Sequence, residues 1–133
     1  MVFYTYSFEK LEVWQLARVF RKEVYVMTRA FPSEEKFGLS SQIRRAASSI
    51  TMNLAEGSGR ASNIDKAHFT NMAITSALEG IDHLIGSYDL EYISEETYKT
   101  KRLQLDEIIA KLHNLYKYQL KEEQSLKSKL RPK

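Results

Sequence analysis

The sequence predicts an all-α protein with the architecture of an antiparallel up-down-up-down four-helix bundle. Prolines occur only at positions 32 and 132, so long stretches of the chain lack the strongest helix breaker. In four of these stretches apolar residues recur in alternating steps of three and four, which is the spacing of one helix face. Strand-like alternation is not evident beyond the first six residues. Four amphipathic helices with short connectors favour an antiparallel bundle.

The composition sets the class of protein. A chain of 133 residues with 43% hydrophobic and 28% charged residues is typical of one globular domain. The absence of cysteine excludes disulfides and thiolate zinc sites. The N-terminal sequence lacks the features of a secretory signal, and no run approaches the roughly 20 apolar residues of a membrane span. We therefore expect a cytoplasmic protein that does not associate with membranes.

The first helix is predicted over residues 8–30. The hydroxyl of Ser7 can cap its first turn, with Tyr6 and Leu11 placed as a hydrophobic staple. Pro32 disfavours helical geometry at the residue before it and ends the helix. The stripe that faces the core consists of Val13, Ala17, Phe20, Val24, Met27 and Phe31.

The second helix is predicted over residues 39–56 and is followed by Gly57, Ser58 and Gly59. Glycine tolerates the left-handed conformation that commonly ends a helix, so we interpret this segment as a cap and turn. The apolar stripe of this helix is built largely from small residues. It consists of Leu39, Ile43, Ala46, Ala47, Ile50 and Leu54.

The third helix is predicted over residues 63–92, with Ser62 as its N-cap. A row of small residues that includes Gly80 lies beside its core stripe. A glycine inside a helix costs up to about 1 kcal/mol relative to alanine, so Gly80 predicts the close approach of a neighbouring helix. The core stripe consists of Ile74, Ala77, Ile81, Leu84 and Tyr88.

The fourth helix is predicted over residues 95–122, with glutamates near the positive end of its dipole. It begins after Ser94, and its apolar pattern fades after Leu120. We therefore expect residues 1–120 to form the bundle. Residues 121–133 are expected to form a basic C-terminal tail that is frayed or disordered.

The residues predict no catalytic, cofactor or metal site, and therefore no enzyme. Di-iron sites in bundles use a Glu-x-x-His motif on inward helix faces. Asp65 and His68 have this spacing with a shorter acid, but they lie opposite the core stripe of their helix. The glycine-rich segment 57–60 is too short for a phosphate-binding loop and follows a helix instead of preceding one.

A polar arc runs along the second helix beside its apolar stripe. Because such an arc is partly desolvated, its members must find hydrogen-bond partners. It is either a polar packing network between helices or subunits, or an open recognition surface. The arc consists of Gln42, Arg45, Ser49, Asn53 and Glu56.

Basic residues are the candidates for nucleic-acid contacts. The sequence pI is about 9.0, and residues 117–133 contain six lysine or arginine side chains against two glutamates. A basic segment favours polyanionic partners. The candidates around the second and third helices are Arg44, Arg45, Arg60 and Lys66, and those in the tail are Lys127, Lys129 and Arg131.

Four linked motifs carry a resemblance to a known family. They are FEKLEVWQLA at 8–17, FPSEEKFGL at 31–39, QIRRAASSI at 42–50 and NLAEG at 53–57. Together they resemble the 23S rRNA intervening-sequence proteins, a bacterial four-helix-bundle family, over about residues 8–120.

The resemblance implies a homopentameric ring and kinship with the accessory proteins of diversity-generating retroelements. Those accessory proteins bind nucleic acid and a reverse transcriptase. We therefore expect a non-enzymatic oligomeric scaffold that binds RNA, DNA or a nucleoprotein partner. The alternative is a protein–protein interaction module without affinity for nucleic acid.

Overall fold

The computed structural model describes residues 2–130, with side chains up to residue 123. All regular structure in this part of the chain is helical, which confirms the all-α class and the four-helix bundle. Two short 3₁₀ turns, Ser7–Lys10 and Ser33–Glu35, accompany four α-helices. The helices are α1 (Glu12–Thr28), α2 (Leu39–Ser58), α3 (Asn63–Asp89) and α4 (Glu95–Leu130).

Each helix packs against two others. The packed pairs are α1–α2, α2–α3, α3–α4 and α1–α4. Among the described residues, no Cα atom of α1 lies within 8 Å of one in α3, and none of α2 lies within 8 Å of one in α4. Cross-helix pairs run in opposite chain order, as antiparallel neighbours require: Arg21 and Thr28 of α1 bond to Thr51 and Arg44 of α2. The same reversed order holds for Ser49–Ser76 and Gly57–Phe69 between α2 and α3, and for Glu12–Lys111 and Glu23–Lys101 between α1 and α4.

The predicted apolar stripes form the core, with the exception of Tyr88 of α3, which is 38% exposed. Within α1, Val13, Ala17, Phe20 and Val24 are all buried. The largest fully buried side chains come from all four helices, and each contributes about 1.5–3 kcal/mol by leaving water. They include Phe20, Ile43, Ile50, Leu84, Leu105, Ile108 and Leu112.

The predicted start of the first helix is wrong. α1 begins at Glu12, because Leu11 is extended, with φ −70° and ψ 124°. The 3₁₀ turn before it is held by its own bonds: the Tyr6 N–H donates to Glu9 Oε2 at 2.7 Å, and Gln15 Nε2 donates to the Glu9 carbonyl at 2.9 Å. These bonds stabilise a 3₁₀ turn that is separate from α1. Ser7 lies in that turn, and the N-cap of α1 is Leu11 instead.

The glycine-rich end of α2 is not a left-handed cap. Gly57 is helical, and Gly59 has φ −86° and ψ −3°. The function of Gly57 is close packing, since a Cβ atom built on it would lie 2.8 Å from Cβ of Phe69 on α3. The close approach predicted at Gly80 is confirmed, because a Cβ there would lie 3.2 Å from Leu105 Cδ1.

The end of α3 also differs from the prediction. The helix stops at Asp89, three residues before position 92, and Glu91 adopts φ 61°. The N–H groups of Glu91 and Tyr92 each make a 2.9 Å bond back into the last turn, which together form a Schellman cap. Contacts of Tyr92 with Phe31 and Glu35 fix the turn at this place.

The fourth helix continues to Leu130 instead of ending near residue 122. No glycine or proline lies between Ser94 and Pro132, and the lysine, glutamate, glutamine and leucine residues of this segment favour helix. The part of the predicted tail that the structure describes is therefore helical in its backbone. With 36 residues α4 is about 54 Å long, much longer than α1 with 17.

Candidate functional site

The polar arc of α2 is bonded to α3 through Ser49, and Asn53 supports Ser49 from within α2. Ser49 Oγ lies 2.8 Å from Ser76 Oγ on α3. Asn53 is only 3% exposed, and its Nδ2 donates to the carbonyl and hydroxyl oxygens of Ser49 at 2.9 and 3.0 Å. The buried part of the arc is thus a small neutral network whose polar groups are satisfied.

The other three members of the arc point outward. Gln42, Arg45 and Glu56 are not buried. Arg45 and Glu79 line a groove of about 310 Å³ between α2 and α3, and the serine–asparagine network forms its floor. The structure therefore divides the arc into an inner pair that packs and an outer set that remains accessible.

Arg44 fastens α2 to α1. Its Nε donates to Thr28 Oγ1 at 2.7 Å, and its guanidinium carbon lies 4.8 Å from the centre of the Tyr25 ring. Thr28 in turn donates to the Val24 carbonyl at 2.9 Å. A guanidinium held by a hydrogen bond and an aromatic face serves packing between helices. The contact explains the half-buried state of this arginine.

Arg60 and Lys66 mark the corner between α2 and α3. Arg60 is exposed, and its guanidinium carbon lies 4.6 Å from the Phe69 ring centre. Lys66 lines a cleft of about 290 Å³ together with Tyr118 and Glu122 of α4. This cleft brings the corner against the C-terminal half of α4.

The basic candidates do not form a single patch. Arg44 and Arg60 are separated by 16 positions, which is about 24 Å along a helix. Lys66 lines the cleft with α4 and Arg60 lies over Phe69 of α3, whereas Arg44 faces α1. The side chains of Lys127 and Lys129, and the whole of Arg131, lie outside the described residues.

A buried lysine on α4 is a polar element that the sequence patterns did not identify. Lys101 is 8% exposed, and its Nζ donates to Glu23 Oε1 at 2.6 Å and to Gln104 Oε1 at 3.0 Å. The bond from Lys101 is the main cause that lowers the pKa of Glu23 below its ordinary value of 4.5. The sequence could have indicated that Lys101 is buried, because it lies between Tyr98 and Leu105 at the spacing of the inward face of α4.

The spacing of a metal motif on α3 does not produce a metal centre in the described part of the chain. No group of three or more histidine, cysteine, aspartate or glutamate side chains in this part of the chain could hold a metal ion. Asp65 and His68, which have the spacing of a metal motif, are both exposed. Among the described helices, none is long and apolar enough to cross a membrane.

A comparison with protein families decides the family. The model of the 23S rRNA-intervening sequence proteins matches residues 9–114 of this chain, which include most of the bundle. The chain belongs to this family. Membership in the 23S rRNA-intervening sequence proteins confirms the family assignment made from the four sequence motifs.

A solved structure shows the same architecture. It is the crystal structure of a protein with unknown function from the S23 ribosomal protein family of Bacteroides thetaiotaomicron. The two chains are 27% identical and superpose with a TM-score of 0.74, over 79% of this chain and 95% of that chain. No curated protein matches this member of the 23S rRNA-intervening sequence family.

Proposed function

We propose that this protein is a non-enzymatic, oligomeric four-helix-bundle scaffold that binds nucleic acid or a nucleoprotein partner. The observation that carries the proposal is the cleft at one end of the bundle, which is lined by both Lys66 of α3 and Tyr118 of α4. Exposed Arg60, Lys117 and Lys121 belong to the same end. Cations beside exposed aromatic rings suit a single-stranded polyanion.

Assembly would multiply these contacts. Exposed valines on α1 and exposed leucine and isoleucine on α3 offer apolar surface for contacts between copies. The resemblance to pentameric members of the family suggests five copies. A weak basic end repeated in a ring gains avidity for a polyanion, and its binding weakens steeply with salt. Kinship with retroelement accessory proteins makes a reverse transcriptase a candidate protein partner.

The alternative is a protein–protein interaction module without affinity for nucleic acid. One observation favours it: exposed Glu56, Asp65 and Glu122 share the same end of the bundle with the lysines and Arg60. The described charges there largely offset one another. A protein surface with mixed charges fits such an end as well as a phosphate backbone does.

The decisive experiment is a binding titration with labelled single-stranded RNA and DNA at about 50 and about 200 mM salt. We expect the double variant Arg60→Gln/Lys66→Gln to bind more weakly than wild type. Its log–log salt slope should be smaller by about one for each phosphate that the variant no longer neutralises. Lys36→Gln/Lys99→Gln changes two exposed cations on other parts of the bundle and serves as the matched control.

Two results would separate the alternatives. An assembled protein that binds neither RNA nor DNA at the lower salt contradicts the nucleic-acid role and favours the interaction module. A chain truncated after Leu120 tests the tail: abolished binding with an intact oligomer assigns the nucleic-acid surface to residues 121–133, and retained binding assigns it to the corner.

A further inference from the structure

We propose that the outer face of α1 in one copy binds the outer face of α3 in the next copy. The α1 outer face is defined by Val19, Lys22, Val26 and Arg29, the last being the C-cap residue directly after the helix. The α3 outer face is defined by Leu78, Glu79, Asp82 and Ile85. None of these eight side chains is buried in the bundle. The inference rests on the oligomer proposed above and assigns the two surfaces that join its copies.

The α1 outer face is left with positive charge by the way α1 packs. Its two acidic residues are both paired with α4: Glu12 with Lys111 at 3.1 Å, and Glu23 with Lys101 at 2.6 Å. Lys22 and Arg29 take part in no salt bridge with any described residue. Val19 and Val26, which are 50% and 53% exposed, lie beside these cations at a spacing of seven.

The α3 outer face has the opposite charge and a similar apolar content. Leu78 and Ile85, again seven residues apart, are 54% and 39% exposed. Glu79 and Asp82 stand next to them, and among the described residues their nearest ion-pair contact is the 4.0 Å approach of His83 to Asp82. A helix that is apolar on its outer side as well as its buried side is typical of one that is covered by a partner.

The two faces point away from each other on one bundle. α1 and α3 occupy diagonal positions, since each packs on α2 and α4 and, among the described residues, no Cα atoms of the two helices lie within 8 Å of each other. Both run antiparallel to α2, so they run parallel to each other. Because the two faces differ, contact between them is heterologous, and such contacts close into rings when the rotation between copies allows it.

The levels of the two faces also agree. Arg21 on α1 bonds to Thr51 on α2, and Ser49, two residues away on α2, bonds to Ser76 on α3. Position 23 of α1 therefore lies level with Ser76, to within about one helical turn of 5.4 Å. Three residues further towards the C-terminus on both helices, Val26 is level with Glu79 and close to the level of Leu78. Six residues further, Arg29 is level with Asp82. A rotation about an axis parallel to the helices preserves these levels.

Charge reversal tests the assignment through the molar mass in solution. Like charges placed opposite each other are strongly unfavourable, so Arg29→Asp and Asp82→Arg should each weaken assembly by at least about tenfold in the dissociation constant. The double variant Arg29→Asp/Asp82→Arg should restore it. Lys99→Asp, an equally drastic reversal at a 70% exposed side chain of α4, should leave the mass unchanged.

The possible failures are distinguishable. A wild-type protein that is monomeric contradicts the proposed oligomer itself. A wild-type oligomer that keeps its mass in both single reversals overturns the assignment of the α1 and α3 outer faces and leaves the oligomer standing. Loss of assembly that the double variant does not restore also overturns the pairing of Arg29 with Asp82.

Disulfide trapping provides a second readout that does not depend on charge. The chain has no cysteine, so Val26→Cys/Leu78→Cys introduces the only two. A disulfide needs Cα atoms within about 7 Å, whereas neighbouring helices are already about 8–10 Å apart and diagonal ones are farther, so the two cannot join within one bundle. Oxidation should produce covalently linked multimers from the double variant and monomers from each single variant. Linked dimers of a single variant would indicate a symmetric contact and contradict the proposal.

Discussion

The hydroxyl of Tyr92 donates a 2.8 Å hydrogen bond to Oε2 of Glu35, a residue 57 positions earlier in the chain. The other oxygen of Glu35 accepts the N–H of Leu39 at 3.2 Å, at the first turn of α2. One carboxylate therefore satisfies the start of α2 and holds the α3–α4 turn against the α1–α2 connector. It also raises the pKa of the Tyr92 hydroxyl above its ordinary value of 10.0.

Removing this carboxylate should destabilise the bundle more than removing the hydroxyl alone. We expect Glu35→Ala to lower the free energy of unfolding by about 1–2 kcal/mol, because both a helix cap and a hydrogen bond disappear. Tyr92→Phe should lower it by less than Glu35→Ala does, because only one hydrogen bond is lost. Urea denaturation measures both values. Glu34→Ala, which changes an exposed neighbour, is the control, and an equal decrease in that variant would contradict the role of Glu35.

The pairing of Glu23 with Lys101 predicts a pH dependence of stability in acid. Because the bond lowers the pKa of Glu23 in the folded protein, its contribution is present above the ordinary value of 4.5 and is lost as the pH falls through the folded-state pKa. The difference in unfolding free energy between wild type and Glu23→Gln should therefore be largest near neutral pH and shrink below about pH 4. A difference that stays constant from pH 7 to about pH 3 would be incompatible with this pairing. Glu107→Gln, an exposed change on α4, controls for overall charge.

Two glycines provide a matched pair of alanine substitutions. Gly57→Ala should destabilise the protein by about 1–3 kcal/mol, because the new methyl group would meet Phe69 at 2.8 Å. Gly86→Ala should stabilise it by about 0.5–1 kcal/mol, because nothing lies within 4 Å of a Cβ there and alanine favours helix. Thermal unfolding of both variants measures the contrast. Similar effects of the two substitutions would show that α2 and α3 do not approach as described.

The adjacent residues Arg44 and Arg45 of α2 should differ in how much each contributes to the free energy of unfolding. Arg44→Ala is expected to lower the unfolding free energy by about 1–2 kcal/mol, since it removes the hydrogen bond to Thr28 and the stacking on Tyr25. Arg45→Ala should change it by less than about 0.5 kcal/mol, because Arg45 is exposed. Chemical denaturation of the two variants under identical conditions tests the contrast. A larger decrease for Arg45 would instead assign the outer part of the arc to packing.

The helices and their core were predictable because a helix that is buried on one side has apolar residues at regular spacing within its own segment. The stripes from Val13 to Val24 and from Ile43 to Leu54 read directly as helix faces. The helix ends were less predictable because they depend on distant or competing contacts. The end of α3 is set by Tyr92 and Glu35, which are far apart in the chain, and the start of α1 by the bonds of Glu9.

The candidate site was predictable in part for the same reason. Helical spacing placed Ser49 and Asn53 beside the core, but it did not reveal that Ser49 bonds to Ser76 of α3 and that Asn53 bonds to Ser49. Charge and position in the chain also grouped Arg44 with Arg60 as nucleic-acid candidates, although packing directs them to different helices. Which side of a helix meets which neighbour is a property of the whole bundle, and one helix pattern does not contain it.

We propose above that this protein is an oligomeric scaffold that binds nucleic acid. Its most direct test is the molar mass by light scattering of the full chain mixed with a labelled single-stranded RNA, separated by size at about 50 mM salt. We expect the label to elute with a multimer of the 15.5 kDa chain and to be released at high salt. A monomeric protein, or an assembled protein that elutes apart from the RNA, would contradict the claim.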